Sequence, residues 1–142
     1  WIGGGTLAGL GVLFGPGLVM LALKARRRSR RRAAERAVDR ISGGWDEVAD
    51  AAVDAGARLP AGNTRREGAA LLAESYPAIP LGELATRADT AVFGPGEPST
   101  AEVEAYWADV ETARRGIIRE ASFRTRVRRF FAPASLLRRG GR

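Results

Sequence analysis

IGGGTLAGLGVLFGPGLVMLAL, residues 2–23, followed at once by KARRRSRRR, residues 24–32, is the stretch on which the reading of this chain turns. The first part has 22 residues and no charge. As a helix rising about 1.5 Å per residue it reaches about 33 Å, the thickness of one hydrocarbon core. The basic block behind it sets a direction, because Lys and Arg beside a membrane helix stay on the cytoplasmic side. A signal peptide carries its positive charge before the apolar run, and here the charge comes after it. The stretch therefore reads as an outside-to-inside membrane helix over residues 1–23 and a polybasic segment over 24–32. A buried hairpin helix of a soluble protein is the plain alternative, and seven cations crowded at one end speak against it.

Working outward, the net charge of +7 is segregated. Residues 24–32 hold seven cations and no acid, and residues 123–142 hold seven Arg and no acid. Residues 33–122 hold nine Arg and all 16 acids, a net −7 across 90 residues, enough chain for one small core. There is no Cys and no His. That removes thiol nucleophiles, imidazole bases, disulfides and Cys/His metal sites. No catalytic residue, metal ligand or cofactor is expected. The absence of an initiator Met at Trp1 predicts a piece of a longer protein.

Within the membrane stretch, Gly5-x-x-x-Gly9 and Gly11-x-x-x-Gly15 allow close approach of another helix. Pro16 should disturb the helix locally. Past the Arg run, Ala34, Val38, Ile41, Trp45, Val48 and Ala52 recur at helical spacing. Asp46, Glu47, Asp50 and Asp54 fall off that stripe and read as a solvated face. Gly43 and Gly44 weaken the middle of this helix by roughly 1 kcal/mol each. Thr64 with Glu67, and Ser99 with Glu102, have capping-box spacing and should each open a helix. Leu71 belongs to the apolar side of the second helix of the module. The third runs from Leu81 to Phe93, and Gly94-Pro95-Gly96 ends it. The fourth carries the longest stripe, from Val103 through Trp107 and Ile118 to Ala121. Trp45 and Trp107 should anchor the core.

The expected fold is all-α: one transmembrane helix, a small antiparallel four-helix bundle and a basic amphipathic tail over 123–142. Four passes should return the fourth helix to the base of the first, bringing Ala121 near Arg32. The expected membrane-surface contacts are Lys24, Arg26, Arg27, Arg28, Arg30, Arg31 and Arg32. The tail adds Phe123, Arg124, Arg126, Val127, Arg128, Arg129, Phe130 and Phe131, a mixture that suits a helix lying on lipid. Trp45, Thr64, Glu67, Phe93, Gly94, Ser99, Glu102 and Trp107 are expected to be structural.

Several segments taken together resemble one family. They are the exit at residues 22–28, Trp45, the turn Gly62 to Glu67, the segment Ala91 to Pro98 and the Ala105-Tyr106-Trp107 helix. Their order resembles the C-terminal part of actinobacterial transglutaminase-like membrane proteins, a part long labelled only as a domain of unknown function. The resemblance implies an upstream, extracytoplasmic, papain-like domain with a Cys-His-Asp triad, then a last membrane helix and a cytoplasmic domain. None of the triad transfers to a chain without Cys or His. The implied function is a non-catalytic, membrane-anchored interaction or regulatory domain in the cytoplasm. The alternatives are a stand-alone membrane-anchored adaptor and a nucleic-acid binder using the Arg segments. The expected partners are anionic membrane lipids, other transmembrane helices of the parent and a cytoplasmic protein that the residues do not name; nucleic acid is not favoured.

Overall fold

The structure is a computed structural model that describes the backbone of residues 3–131 and the side chains of residues 16–128. Among the described residues it is helical throughout, with no strand: α1 (Gly3–Arg32), α2 (Ala37–Asp54), α3 (Arg65–Ser75), α4 (Leu81–Phe93) and α5 (Thr100–Phe131). The helices begin where local chemistry favours it. The Thr64 side chain accepts from the Glu67 amide at 3.2 Å and the Glu67 carboxylate accepts from the Thr64 amide at 2.8 Å, closing a capping box on α3. Ser99 and Glu102 repeat the exchange at the start of α5. Gly94 caps α4 by donating its amide to the Thr90 carbonyl at 2.8 Å. Arg36 does not cap α2 with its side chain; the Glu97 carboxylate accepts from the Ala37 amide instead, at 3.3 Å. The Gly-Pro-Gly-Glu-Pro turn thus carries a remote acid to a positive helix end.

The core joins α2 to α5, with α4 and α3 closing it. Trp45 and Trp107 are both buried, 5% and 0% exposed. The Trp107 indole donates to the Arg40 carbonyl at 3.1 Å, and the Tyr106 hydroxyl donates to the Leu84 carbonyl at 3.1 Å. Burial pushes the Tyr106 phenol far above its ordinary value, so it stays a donor.

Helix directions differ from the up-down-up-down expectation. Arg40 meets Trp107 while Gly44 faces Tyr106 and Val110, so α2 and α5 run in the same direction rather than antiparallel. α1 runs against both: Lys24 pairs with Asp54 and Arg31 with Glu47, while Arg28 pairs with Glu111 and Arg32 with Glu104. Ala121 therefore lies at the far end of the module from Arg32, beside Leu21 and Ala55. The connection between α2 and α3 is what reverses the parity. Residues 55–64 carry the chain back along α2, so that Arg65 reaches Ser42, and Leu59 packs on the core as they pass. Ten extended residues span roughly 30 Å, so such a loop counts as a pass.

Other expectations are corrected as well. Phe93 is 81% exposed and outside the core, because it sits on the last turn of α4 and no described residue packs over it. Leu71 and Ile118 are also exposed. The fourth helix of the module does not end near Ala121; α5 continues to Phe131, since nothing before Pro133 breaks it. Likewise α1 is unbroken from Gly3, through Pro16, into the basic segment. No helix among the described residues is long and apolar enough to cross a membrane. In the apolar stretch 2–23 the side chains are described only from Pro16. The surroundings of the pairs Gly5/Gly9 and Gly11/Gly15, and the side chains of Arg129, Phe130 and Phe131, lie outside what is described.

Candidate functional site

The basic segment is a helix, and a helix sorts its side chains by face. Lys24, Arg27, Arg28 and Arg31 follow at steps of three and four and share one stripe. On α2, Glu47, Asp50 and Asp54 do the same with opposite sign. The two stripes meet antiparallel. Lys24 Nζ lies 2.6 Å from Asp54, Arg27 lies 3.7 Å from Asp50, and one Arg31 nitrogen lies 2.8 Å from both Glu47 and Asp50. α5 adds Glu111 at 3.6 Å from Arg28 and Glu104 at 2.9 Å from Arg32. The Arg32 guanidinium also stands over the Trp107 ring, 5.6 Å from its centre.

These pairs are unequal. Most are half exposed and contribute about 0–1 kcal/mol each. Arg31 and Glu47 are different, for Glu47 is buried. Burial pulls the Arg31 pKa down, but hydrogen bonds to Asp50 and Glu47 outweigh it and the net direction is up. Removing Arg31 would leave the buried Glu47 carboxylate uncompensated, at a cost of roughly 1–3 kcal/mol. The close approach depends on glycine. A Cβ on Gly43 would fall 2.8 Å from the Arg31 Cβ, and one on Gly44 would fall 2.8 Å from the Tyr106 ring. The pair lets α1 and α5 touch α2 on adjacent sides.

Five of the seven expected lipid-facing cations of α1 thus meet acids or an aromatic ring of the module. Arg26 and Arg30 are exposed and form no ion pair among the described residues. Of the expected tail contacts, Phe123 and Val127 are 63% and 37% exposed, while Arg126 and Arg128 are exposed. Arg124 instead donates to Glu120 and to the Ser75 carbonyl and stands over the Tyr76 ring. Glu47, Asp50, Asp54, Glu104 and Glu111 are receptors for α1 that the sequence does not single out. The signal was present: two stripes of opposite charge at matching spacing, separated by a short connection.

Two grooves among the described residues stand out on the module. One, of about 900 Å³, lies between α1, the end of α2 and α5, and includes Leu21, Lys24, Arg114, Ile118, Ala121 and Arg126. The other, of about 780 Å³, lies between α4 and α5 over Ile79, Leu84 and Gly116. Among the described residues, no three acids converge as metal ligands do. No protein-family model, curated protein or solved structure matches the chain.

Proposed function

We propose that this chain is a non-catalytic, membrane-anchored interaction and regulatory module whose helical domain is clamped to its own anchor helix in the cytoplasm. The observation that carries the reading is the junction in α1. Leu18, Val19, Met20, Leu21 and Leu23 are each at least 55% exposed. At about 100° per residue they point to every side of the helix, and a helix that is apolar all round is one that lipid or other protein covers. One residue later the same helix turns basic and docks on an acidic module. That order supports a reading in which lipid ends near Leu23 and the module lies directly beneath it. The resemblance to transglutaminase-like membrane proteins adds the proposal that an enzyme domain lies upstream and outside. Docking of the cations on acids leaves few of them for a nucleic-acid backbone, which weighs against the nucleic-acid reading.

The test is membrane extraction combined with topology. The full chain should resist alkaline carbonate extraction, and a reporter fused after Arg142 should work only as a cytoplasmic one. Release by carbonate, or activity of a periplasmic-type reporter there, would overturn the reading.

A further inference from the structure

The groove between α1, α2 and α5 sits at the level where α1 changes from apolar to basic. Its walls are divided in the same sense. Leu21, Val53 and Ile118 are 65%, 50% and 46% exposed, three large apolar side chains open to whatever fills the groove. Its charges do not cancel. Lys24 is matched by Asp54, and Arg27 with Arg31 by Asp50 with Glu47. Arg28 and Arg114, however, share the single carboxylate of Glu111, at long distances of 3.6 and 3.9 Å. Both side chains are about two-thirds buried, with exposures of 33% and 28%. At the other end of the groove, Arg126 has no acid within 4.0 Å among the described residues. One positive charge in excess thus lies at the inner end, another at the mouth, and apolar side chains lie between them.

We propose that this groove holds one anionic phospholipid drawn from the cytoplasmic leaflet, its phosphate between Arg28 and Arg114 and an acyl chain passing Ile118 and Ala121 toward Leu21. The proposal rests on the membrane-anchor reading. Guanidinium forks suit a phosphate because two parallel N–H donors match two of its oxygens. Glu111 loses little, since its present contacts to them are long. The apolar path runs on into the uncovered circumference of α1, so the chain need not cross water. A zwitterionic lipid brings a second cation to the inner end and is disfavoured there.

The test is native mass spectrometry of the full chain, taken from micelles holding equal phosphatidylglycerol and phosphatidylcholine, after membrane insertion has been verified by carbonate extraction. One phosphatidylglycerol should be retained in preference to phosphatidylcholine. Arg114→Gln should lower that retention about fivefold. Arg30→Gln removes the same charge from the outer face of α1 and should leave retention unchanged. Ala121→Trp keeps every charge but fills the groove, and should lower retention as Arg114→Gln does. Circular dichroism checks that each variant is folded. An equal loss in Arg30→Gln would mean diffuse attraction and overturn the site. So would unaltered retention in Ala121→Trp, absence of any preference, or binding of glycerol 3-phosphate as tight as that of the lipid. A chain that fails to insert sinks the anchor and this site together; one that inserts without selecting phosphatidylglycerol sinks the site alone.

Discussion

At Gly43 and Gly44 a missing Cβ does two separate jobs. Alanine in a helix interior is favoured over glycine by about 1 kcal/mol. At Gly44 that gain meets the Tyr106 ring, which is 1% exposed and held by its hydroxyl to Leu84. Overpacking there costs about 1–3 kcal/mol, so Gly44→Ala should lower the stability of the module by up to about 2 kcal/mol in urea melts. At Gly43 the neighbour is Arg31 on a helix that can move away. Gly43→Ala should leave the module as stable as before while loosening α1, seen as faster amide exchange in residues 24–32. The caps behave differently. Thr64→Ala should cost about 1 kcal/mol. Hydrogen bonds from Thr64 and Ser99 hold Glu67 and Glu102 below the ordinary 4.5 in the folded state. Their contribution is therefore complete above about pH 4.5 and is lost as pH falls through the lowered folded values. The penalty of the pair Glu67→Ala and Glu102→Ala in thermal melts should shrink between pH 7 and pH 3. Both boxes were legible from four residues each, because a cap is local. The task of Gly43 and Gly44 was not, because a glycine in a sequence does not name the helix that will press on it.

Among the elements, α1 and α5 depart most from their sequence reading. The stripes of α2, α4 and α5 predicted most of the core, since burial follows periodicity. Charged stripes are ambiguous in a way apolar ones are not: water satisfies a carboxylate as well as an arginine does. Asp50 and Asp54 therefore looked solvated, and only the arrival of α1 shows them paired. Reversing Arg27, Arg28 and Arg31 to Glu should undock α1. Reversing Glu47, Asp50 and Glu111 to Lys in the same chain should restore docking. Cysteine pairs can report this cleanly, since the chain has none of its own. Lys24→Cys with Asp54→Cys should couple through a short bismaleimide when α1 is docked and fail to couple when it is not.

For the whole molecule, the direction of α5 decides which of its ends meets the apolar part of α1. It runs with α2 and against α1, so its far end lies beside Leu21 rather than beside Arg32. If lipid covers the apolar part of α1 as proposed, a nitroxide at Thr125→Cys should sense lipid, while one at Asp39→Cys, at the opposite end of α2, should sense only water. Equal accessibility at the two sites would contradict the placement. This could not be read from helix count alone, because a ten-residue connection that lies along the bundle looks in sequence like any other loop. The unbroken backbone of α1 has one more consequence. A helix without a joint is a shaft, and the ion pairs with α2 and α5 act as a key that stops the module slipping on it. Any turn or thrust of the apolar end must then arrive at the module undiminished, with the phase of the helix. Inserting one alanine after Leu23 would swing the whole module through about 100° and shift it about 1.5 Å, and four would nearly restore its facing. An output that rises and falls with that period as alanines are added would mark α1 as a transmitter of rotation to the module, not a passive tether.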